Sequence, residues 1–189
     1  MAQRRANTVR IIAGEWRSRL ISFPPAAGLR PTPDRVRETL FNWLGQDLVG
    51  KGCLDLFAGS GVLGFEALSR GAREAVLVEA SAPVARALAA TAARLGARRV
   101  RLVTGDALEF AARTHETFDI VFVDPPYGRG LAGEALALLP RLLAPGARVY
   151  VEDDRPVDAP PGWRKARSGR AGAVHYCLLE REASDRAGD

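Results

Sequence analysis

From Lys51 onward the chain alternates short apolar runs, rich in β-branched residues, with segments of helical periodicity. This alternation is typical of a parallel sheet with helices packed on both faces. The predicted strands are 53–58, 75–78, 100–103, 118–123 and 147–151, followed by a hairpin of 163–168 and 173–179. The predicted helices between the strands are 62–70, 82–95 and 131–143. We therefore predict an α/β, Rossmann-like fold with a mostly parallel, seven-stranded sheet that ends in an antiparallel hairpin.

The fourth predicted strand stops abruptly. Its apolar run, 120–123, is typical of a strand buried on both faces, and Asp124-Pro125-Pro126-Tyr127 follows directly. Because the prolines cannot continue a ladder, we expect Asp124 and Tyr127 at the carboxyl edge of the sheet, where open α/β folds bind ligands. A carboxylate there can accept a hydrogen bond from an amino group, and the ring can stack on a planar ligand.

A glycine-rich loop follows the first predicted strand and opens a helix. Its three glycines, within 59–64, have the GxGxxG spacing, which permits a tight turn and a close backbone approach to a ligand. Glu79 ends the next strand about 20 residues later, as in dinucleotide sites. Asp55, however, would repel a pyrophosphate. Acids at three successive strand ends, Asp55, Glu79 and Asp106, favour a cationic nucleoside, of which S-adenosylmethionine fits best, while a dinucleotide remains the alternative.

The first 30 residues carry six arginines against a single acid, Glu15. Strands near 9–12 and 19–23, with a turn between them, predict a small basic β-hairpin. Trp16 lies among the arginines, which suits a nucleic-acid surface. Packing of Trp16 on the main domain, within a solvated hairpin, is equally compatible with the sequence.

A helix is predicted directly after this hairpin, with Thr32 as its N-cap, Pro33 at its first position and Gly45 as its stop. We divide the chain into a basic N-terminal extension (1–30), a main domain (31–181) and a polar tail expected to be disordered (182–189).

Composition excludes several classes of protein. The net charge of +5 and the isoelectric point near 9.9 suggest an anionic partner. Cys53 and Cys177 lie in apolar runs and are interpreted as buried thiols, and no Cys or His spacing indicates a metal site. No segment has the length of a membrane-spanning helix, and the basic N-terminus lacks the apolar stretch of a signal peptide. We expect a cytoplasmic monomer without metal or membrane association.

Taken together, these motifs resemble those of class I S-adenosylmethionine-dependent methyltransferases that act on amino groups. More narrowly, Arg10-Ile-Ile-Ala-Gly-Glu-Trp-Arg17 and Leu29-Arg-Pro-Thr-Pro-Asp-Arg-Val-Arg-Glu-Thr-Leu-Phe-Asn-Trp-Leu44 resemble the RsmD family, over about residues 9–180. The resemblance implies methyl transfer from S-adenosylmethionine to the N2 amino group of one guanine of bacterial 16S rRNA. It also implies that the substrate is the assembled or assembling 30S subunit.

Roles for individual residues follow from the motifs and the resemblance. The expected catalytic residues are Asp124, Pro125, Pro126 and Tyr127. The expected cofactor-binding residues are Asp55, Phe57, Gly59, Ser60, Gly61, Glu79, Asp106, Ala107 and Asp124, with Glu79 on the ribose hydroxyls and Asp106 on the adenine amino group. The expected RNA-contacting residues are Arg10, Trp16, Arg17, Arg19, Arg30, Arg35 and Tyr127.

Three alternatives stay open from the residues alone. A DNA adenine-N6 or cytosine-N4 methyltransferase would use the same Asp-Pro-Pro-Tyr tetrapeptide. A NAD-dependent oxidoreductase would use the glycine loop but gives no role to the tetrapeptide. A non-catalytic RNA-binding protein on the same fold would have no need of the full set of motifs.

Overall fold

A computed structural model describes residues 7–25 and 31–182. The strands are β1 (Asn7–Arg10), β2 (Leu20–Phe23), β3 (Gly52–Asp55), β4 (Glu74–Glu79), β5 (Val100–Thr104), β6 (Phe118–Val123), β7 (Leu143–Asp153), β8 (Trp163–Ala171) and β9 (Val174–Arg181). The helices are α1 (Asp34–Leu44), α2 (Val62–Ser69), α3 (Ala82–Leu95), α4 (Ala107–Arg113) and α5 (Leu131–Leu138), which runs into a 3-10 helix over Leu139–Leu142. No helix in the described ranges is both long and apolar enough to cross a membrane.

The main sheet of the described chain has seven strands in the order β5-β4-β3-β6-β7-β9-β8. The strands from β5 to β7 are parallel, and β9 inserts antiparallel between β7 and β8. This confirms the predicted fold. The order of the chain reverses between β3 and β6, so the loops after these two strands flank a topological switch point, where such sheets bind ligands.

Both faces of the sheet are covered, as alternation along β6 shows. Ile120 and Phe122 lie in one hydrophobic cluster with residues of α1, α2 and α3, while Val121 and Val123 lie in a second cluster with α4 and α5. All four side chains are at most 4% exposed. A strand with both faces in a core requires a continuous apolar run, which is the pattern seen in the sequence.

The N-terminal hairpin is packed on the main domain. Strands β1 and β2 form a separate antiparallel pair, and their buried apolar side chains, Val9, Ile21 and Phe23, share the first cluster with α1 and α2. The segment between them lies against the end of α2, where the backbone N–H of Trp16 donates to Ser69 Oγ (2.9 Å). Gly14 has φ +83°, and a Cβ there would lie 1.9 Å from the Ser69 carbonyl oxygen, so no larger residue fits.

Trp16 is 6% exposed and belongs to this core. Of the two roles left open by the sequence, packing on the main domain is therefore the one observed, and the assignment of Trp16 to an RNA-facing surface is corrected.

Several predicted boundaries shift for local reasons. The predicted strand 53–58 stops at Asp55, where the glycine loop begins. The predicted helix 131–143 gives way to a 3-10 turn at its Leu-Pro step, and β7 starts at Leu143. Phe118 pairs with Leu143 and Ile120 with Arg148, so the intervening residues form a bulge that the proline and glycine there permit.

One helix, α4, was not predicted because it is only seven residues long. Its start signal is Asp106 followed three residues later by Glu109, an arrangement related to the capping box. The predicted disordered tail falls, apart from Glu182, outside the described residues.

Candidate active site

The glycine loop after β3 packs closely on the side chains beneath it. Gly61 caps α2 with φ +75°, and a Cβ there would lie 2.5 Å from Leu88 Cδ2. A Cβ at Gly64 would lie 2.6 Å from Leu77 Cδ1. Gly61 has a backbone conformation that favours glycine, and at both positions a Cβ would crowd the leucine that packs against α2.

Glu79, at the end of β4, is bound to the glycine loop. Its Oε2 accepts from Gly59 N–H (2.9 Å), and its Oε1 accepts from Ser81 N–H (2.7 Å). Each carboxylate oxygen has a second lone pair, so a carboxylate fixed in this way can still accept from hydroxyl groups of a ligand. Ser60 is buried in the same loop, and Phe57 is half-buried against the second cluster.

Asp55 is the buried acid of the loop, with 2% of its surface exposed. Its Oδ2 accepts from Gly64 N–H (3.0 Å), which binds β3 to the first turn of α2. Burial, together with the smaller effect of the charge of Glu79, raises the pKa of Asp55 to about 7 against the opposing effect of the hydrogen bond from Gly64. A cation placed nearby would favour the ionised form.

Asp106 follows β5 at the same edge and is exposed. It is the N-cap of α4, with Oδ1 accepting from Glu109 N–H (2.9 Å). Ala107 is buried beside it. The structure thus places the acids of three successive parallel strands at one edge of the sheet, as the sequence predicts.

The tetrapeptide after β6 occupies the same edge on the other side of the switch point. Asp124 is partly buried, and its Oδ2 accepts from the hydroxyl of Thr32 (3.2 Å). Pro125 is buried and Pro126 exposed, and Tyr127 keeps 40% of its surface exposed. Thr32 does not cap α1 as predicted, because the helix begins at Asp34 and the threonine side chain is engaged at Asp124 instead.

Glu152, near the end of β7, completes this arrangement and was missed in the sequence. It is 2% exposed and accepts from two phenols, Tyr127 (2.7 Å to Oε1) and Tyr150 (2.8 Å to Oε2). Both bonds lower its pKa, but burial outweighs them and raises it. An acid near the end of the strand that follows the Asp-Pro-Pro-Tyr loop was the available signal.

Burial and like charges act together on Asp124. Burial raises the pKa of Asp124 well above the usual range, and three nearby carboxylates add to this effect: Glu152, Asp55 and Asp153. The hydrogen bond from the Thr32 hydroxyl lowers the pKa of Asp124. This concentration of acids favours a cationic ligand at the edge. In the described parts of the chain, no group of three or more His, Cys, Asp or Glu residues is arranged to hold a metal ion.

Four of the arginines expected to contact RNA are exposed: Arg10, Arg17, Arg19 and Arg35. Arg10 lies 3.6 Å from Asp34, and Arg19 donates to the Arg94 carbonyl (3.2 Å). They lie on the N-terminal hairpin and on the first turn of α1, which begins two residues after Thr32. Arg30 lies outside the described residues.

The chain matches known proteins along nearly its full length. The family model Conserved hypothetical protein 95 matches residues 9–180. The ribosomal RNA small subunit methyltransferase D of Escherichia coli is 47% identical, and the match covers 93% of this chain and 91% of that protein. The protein of the same name from Haemophilus influenzae is 41% identical, with 91% and 93% covered.

Solved structures agree. A candidate methyltransferase of Escherichia coli, yhhF, superposes with a TM-score of 0.84 at 47% identity, covering 94% of this chain and all of that one. A candidate methylase from Haemophilus influenzae gives a TM-score of 0.79 at 38% identity, with 93% and 99% covered. With its glycine loop, strand-end acids and Asp-Pro-Pro-Tyr edge, this chain belongs to the RsmD family of methyltransferases.

Proposed function

We propose that this chain transfers a methyl group from S-adenosylmethionine to the N2 amino group of a guanine in the 16S rRNA of the small ribosomal subunit. The observation that carries the proposal is the Asp124–Tyr127 tetrapeptide, which lies across the switch point from an acid-bearing glycine loop. The names of the relatives, which specify ribosomal RNA of the small subunit, support the choice of substrate.

The residues at the edge fit S-adenosylmethionine. The loop Gly59-Ser60-Gly61 leaves room for close backbone approach, Glu79 would accept from the ribose hydroxyls, and Asp106 would accept from the adenine amino group. Phe57 and Ala107 would line the site, and Asp55 and Asp124 would face the positive charge. When bound, the cofactor supplies an electrophilic methyl group on a sulfonium. A dinucleotide is disfavoured because its pyrophosphate would meet the buried acid Asp55.

Asp124 would orient the amine. The exocyclic amine of guanine is a weak nucleophile because its lone pair is delocalised into the ring. A hydrogen bond from this amine to Asp124, with a second to the Pro125 carbonyl, would hold the nitrogen in the direction of attack, so that positioning supplies most of the rate. The same carboxylate is placed to take a proton as the nitrogen becomes cationic.

Tyr127 would stack on the target base. Its ring is exposed at the edge while its hydroxyl is held by Glu152, so the ring can contact a base without losing its orientation. Stacking of this kind contributes on the order of 1–3 kcal/mol per base. Because the edge lies at the rim of a folded domain, the guanine has to be unpaired or flipped to reach it.

The exposed arginines of the hairpin and of α1 would contact RNA phosphates. Arg10, Arg17, Arg19 and Arg35 contribute this charge, and Arg30 is proposed with them from the sequence. A chain that acts in this way on small subunits would work in the cytoplasm, and we propose that it does so as a monomer.

The test is methyl transfer from labelled S-adenosylmethionine to small subunits that lack the modification, followed by digestion to nucleosides. The expected product is N2-methylguanosine at a single site. Label on adenine, on cytosine or on DNA supplied in parallel would contradict the proposed substrate. Retention of NAD in place of S-adenosylmethionine would contradict the proposed reaction.

A further inference from the structure

Thr32 forms the one described side-chain hydrogen bond to Asp124. The hydroxyl donates to Oδ2 over 3.2 Å, and the threonine is 3% exposed, so solvent competes little for this bond. Thr32 precedes Pro33 and Asp124 precedes Pro125, and a residue before proline is confined to extended backbone conformations. The bond therefore joins two side chains whose backbones are both restricted.

The backbone of Thr32 is fixed from behind by Arg37. This arginine is fully buried, and its Nε donates to the Thr32 carbonyl oxygen (3.1 Å). Its Nη2 donates to Asp34 and its Nη1 to Glu66 Oε2 (3.1 Å). All the polar edges of the guanidinium thus contribute to holding the turn that carries Thr32.

Glu66 anchors this arrangement to the cofactor loop. It is fully buried on α2, two residues beyond Gly64, and accepts from Arg37 and from Arg70 Nε (3.0 Å) and Nη2 (2.9 Å). It also accepts the backbone N–H groups of Ile12 (2.8 Å) and Ala13 (3.0 Å). The carboxylate of Glu66 therefore joins three parts of the fold: α2, the N-terminal hairpin and, through Arg37, the turn before α1.

From these contacts we propose that Thr32 is a positioning residue for methyl transfer: it holds Asp124 Oδ2, so that Oδ1 is directed to the substrate amine. The buried pair of Arg37 and Glu66 holds the threonine in a fixed position relative to the glycine loop. Because one oxygen accepts from Thr32, rotation of the carboxylate about its Cβ–Cγ bond is restricted and the other oxygen keeps a fixed direction. This inference rests on the proposed role of Asp124 in orienting an amine.

Thr32 has a second effect, on the charge of Asp124. The acids that face it, Glu152, Asp55 and Asp153, raise its pKa, as does burial, and the Thr32 hydroxyl opposes them. A carboxyl that stays protonated would present a donor to the amine in place of an acceptor. Loss of the hydroxyl should therefore move the acid limb of the kcat profile to higher pH.

The experiment compares Thr32→Val, which keeps the shape of the side chain, with Thr32→Ser, which keeps the hydroxyl. For Thr32→Val we expect kcat to fall on the order of ten- to a hundredfold, with the acid limb at higher pH and an S-adenosylmethionine Kd within about twofold. Thr32→Ser should restore both kcat and the acid limb. Thr39→Val is the matched control, because Thr39 donates only to the Arg35 carbonyl of its own helix (2.9 Å), and it should leave kcat unchanged.

A second readout does not depend on the RNA substrate. Carbon-13 NMR of the Asp124 carboxyl, assigned by its absence in Asp124→Asn, should show a higher pKa in Thr32→Val than in the parent protein. An unchanged Asp124 pKa, or an unchanged kcat in Thr32→Val, would overturn the inference. So would equal losses in Thr32→Val and Thr32→Ser, since these would indicate packing alone. Absence of transfer by the parent protein would contradict the proposed substrate instead, and the NMR titration would still decide the role of Thr32.

Discussion

At the scale of single residues, the site holds carboxyl groups in positions that oppose their ionisation. Asp55 is buried under the glycine loop. Glu152 lies close enough to Asp124 for its charge to raise the pKa of Asp124. Such an arrangement costs stability, and perturbed carboxyls of this kind are typical of functional sites. A bound cation would reduce the repulsion between these carboxylates, so all three acids would favour its binding.

Asp55 provides a prediction about stability. Its pKa is raised from 3.8 to about 7, so the folded protein holds a proton that the unfolded chain releases between those values. Asp55 should therefore make the free energy of unfolding fall as pH rises from about 4 to about 7, and Asp55→Asn should remove this part of the pH dependence. Urea titrations of both proteins at several pH values measure this dependence of the unfolding free energy on pH. At pH 8 we expect the variant to be more stable than the parent protein, by at most a few kcal/mol, although its cofactor binding should weaken.

The matched control for this comparison is Asp158→Asn, an exposed acid on the loop before β8. It should leave the pH dependence of stability as in the parent protein. An Asp55→Asn protein whose stability follows the same pH curve as the parent would contradict the buried, proton-binding state of Asp55.

At the scale of elements, a buried ion pair joins the hairpin, α1 and α2 in addition to the first hydrophobic cluster. Arg37 and Glu66 are each fully buried, and Arg70 lies 4.5 Å over the ring of Phe41. No polar periodicity in the sequence marks this contact, because Glu66 lies in an otherwise apolar helix and its partners are at distant positions. Its one sign in the sequence is an acid in the middle of that apolar helix.

Glu66→Gln should destabilise the protein by roughly 3–5 kcal/mol, because it removes the described counter-charge of the buried Arg70 and leaves the buried Arg37 paired only with the half-exposed Asp34. The measurement is the free energy of unfolding in urea. Glu109→Gln is the control, since its pair with Arg113 is exposed, and it should cost at most about 1 kcal/mol. Similar costs for the two variants would show that the buried ions are not coupled to folding.

The parts of the fold that the sequence predicts are those governed by local pattern. The run at 120–123 and the helix at 82–95 are found where expected, because burial on both faces and helical periodicity leave direct marks in the sequence. The partners of Asp124 could not be predicted in the same way. Thr32 donates to Asp124 from 92 positions away, and nothing in the pattern of its segment marks this contact. Glu152 lies 28 positions away; its place near a strand end is visible in the sequence, but its burial close enough to raise the pKa of Asp124 depends on packing.

At the scale of the whole molecule, the basic hairpin and the sheet edge that carries Asp124 belong to one packed unit. The hairpin shares a hydrophobic cluster with α1 and α2, and α1 follows the turn that carries Thr32. A phosphate backbone held by the hairpin arginines would therefore be fixed relative to Asp124. In binding of this kind, the arginines attract the phosphates whatever the RNA sequence, and contacts at the sheet edge select the base.

The double variant Arg17→Ala/Arg19→Ala tests this arrangement. We expect kcat/KM for the small subunit to fall, with kcat nearly unchanged, and the salt dependence of binding to decrease by roughly 0.7 in log–log slope per lost phosphate contact. Initial rates at several salt concentrations measure both. Arg101→Ala/Arg113→Ala, two exposed arginines on β5 and α4, serves as the matched control. An equal loss in both double variants would mean that net charge, rather than the hairpin, attracts the RNA.

The role of Asp124 is tested most directly by two values measured for Asp124→Asn, kcat and the Kd for S-adenosylmethionine. The amide keeps the size of the side chain but replaces one acceptor oxygen with a donor group, so the substrate amine should lose its orientation. We predict that kcat falls by on the order of a hundredfold or more while the cofactor Kd changes by less than about tenfold. A variant that transfers methyl groups at the parent rate would contradict the central role of Asp124. A variant that loses the cofactor together with its activity would assign Asp124 to cofactor binding instead.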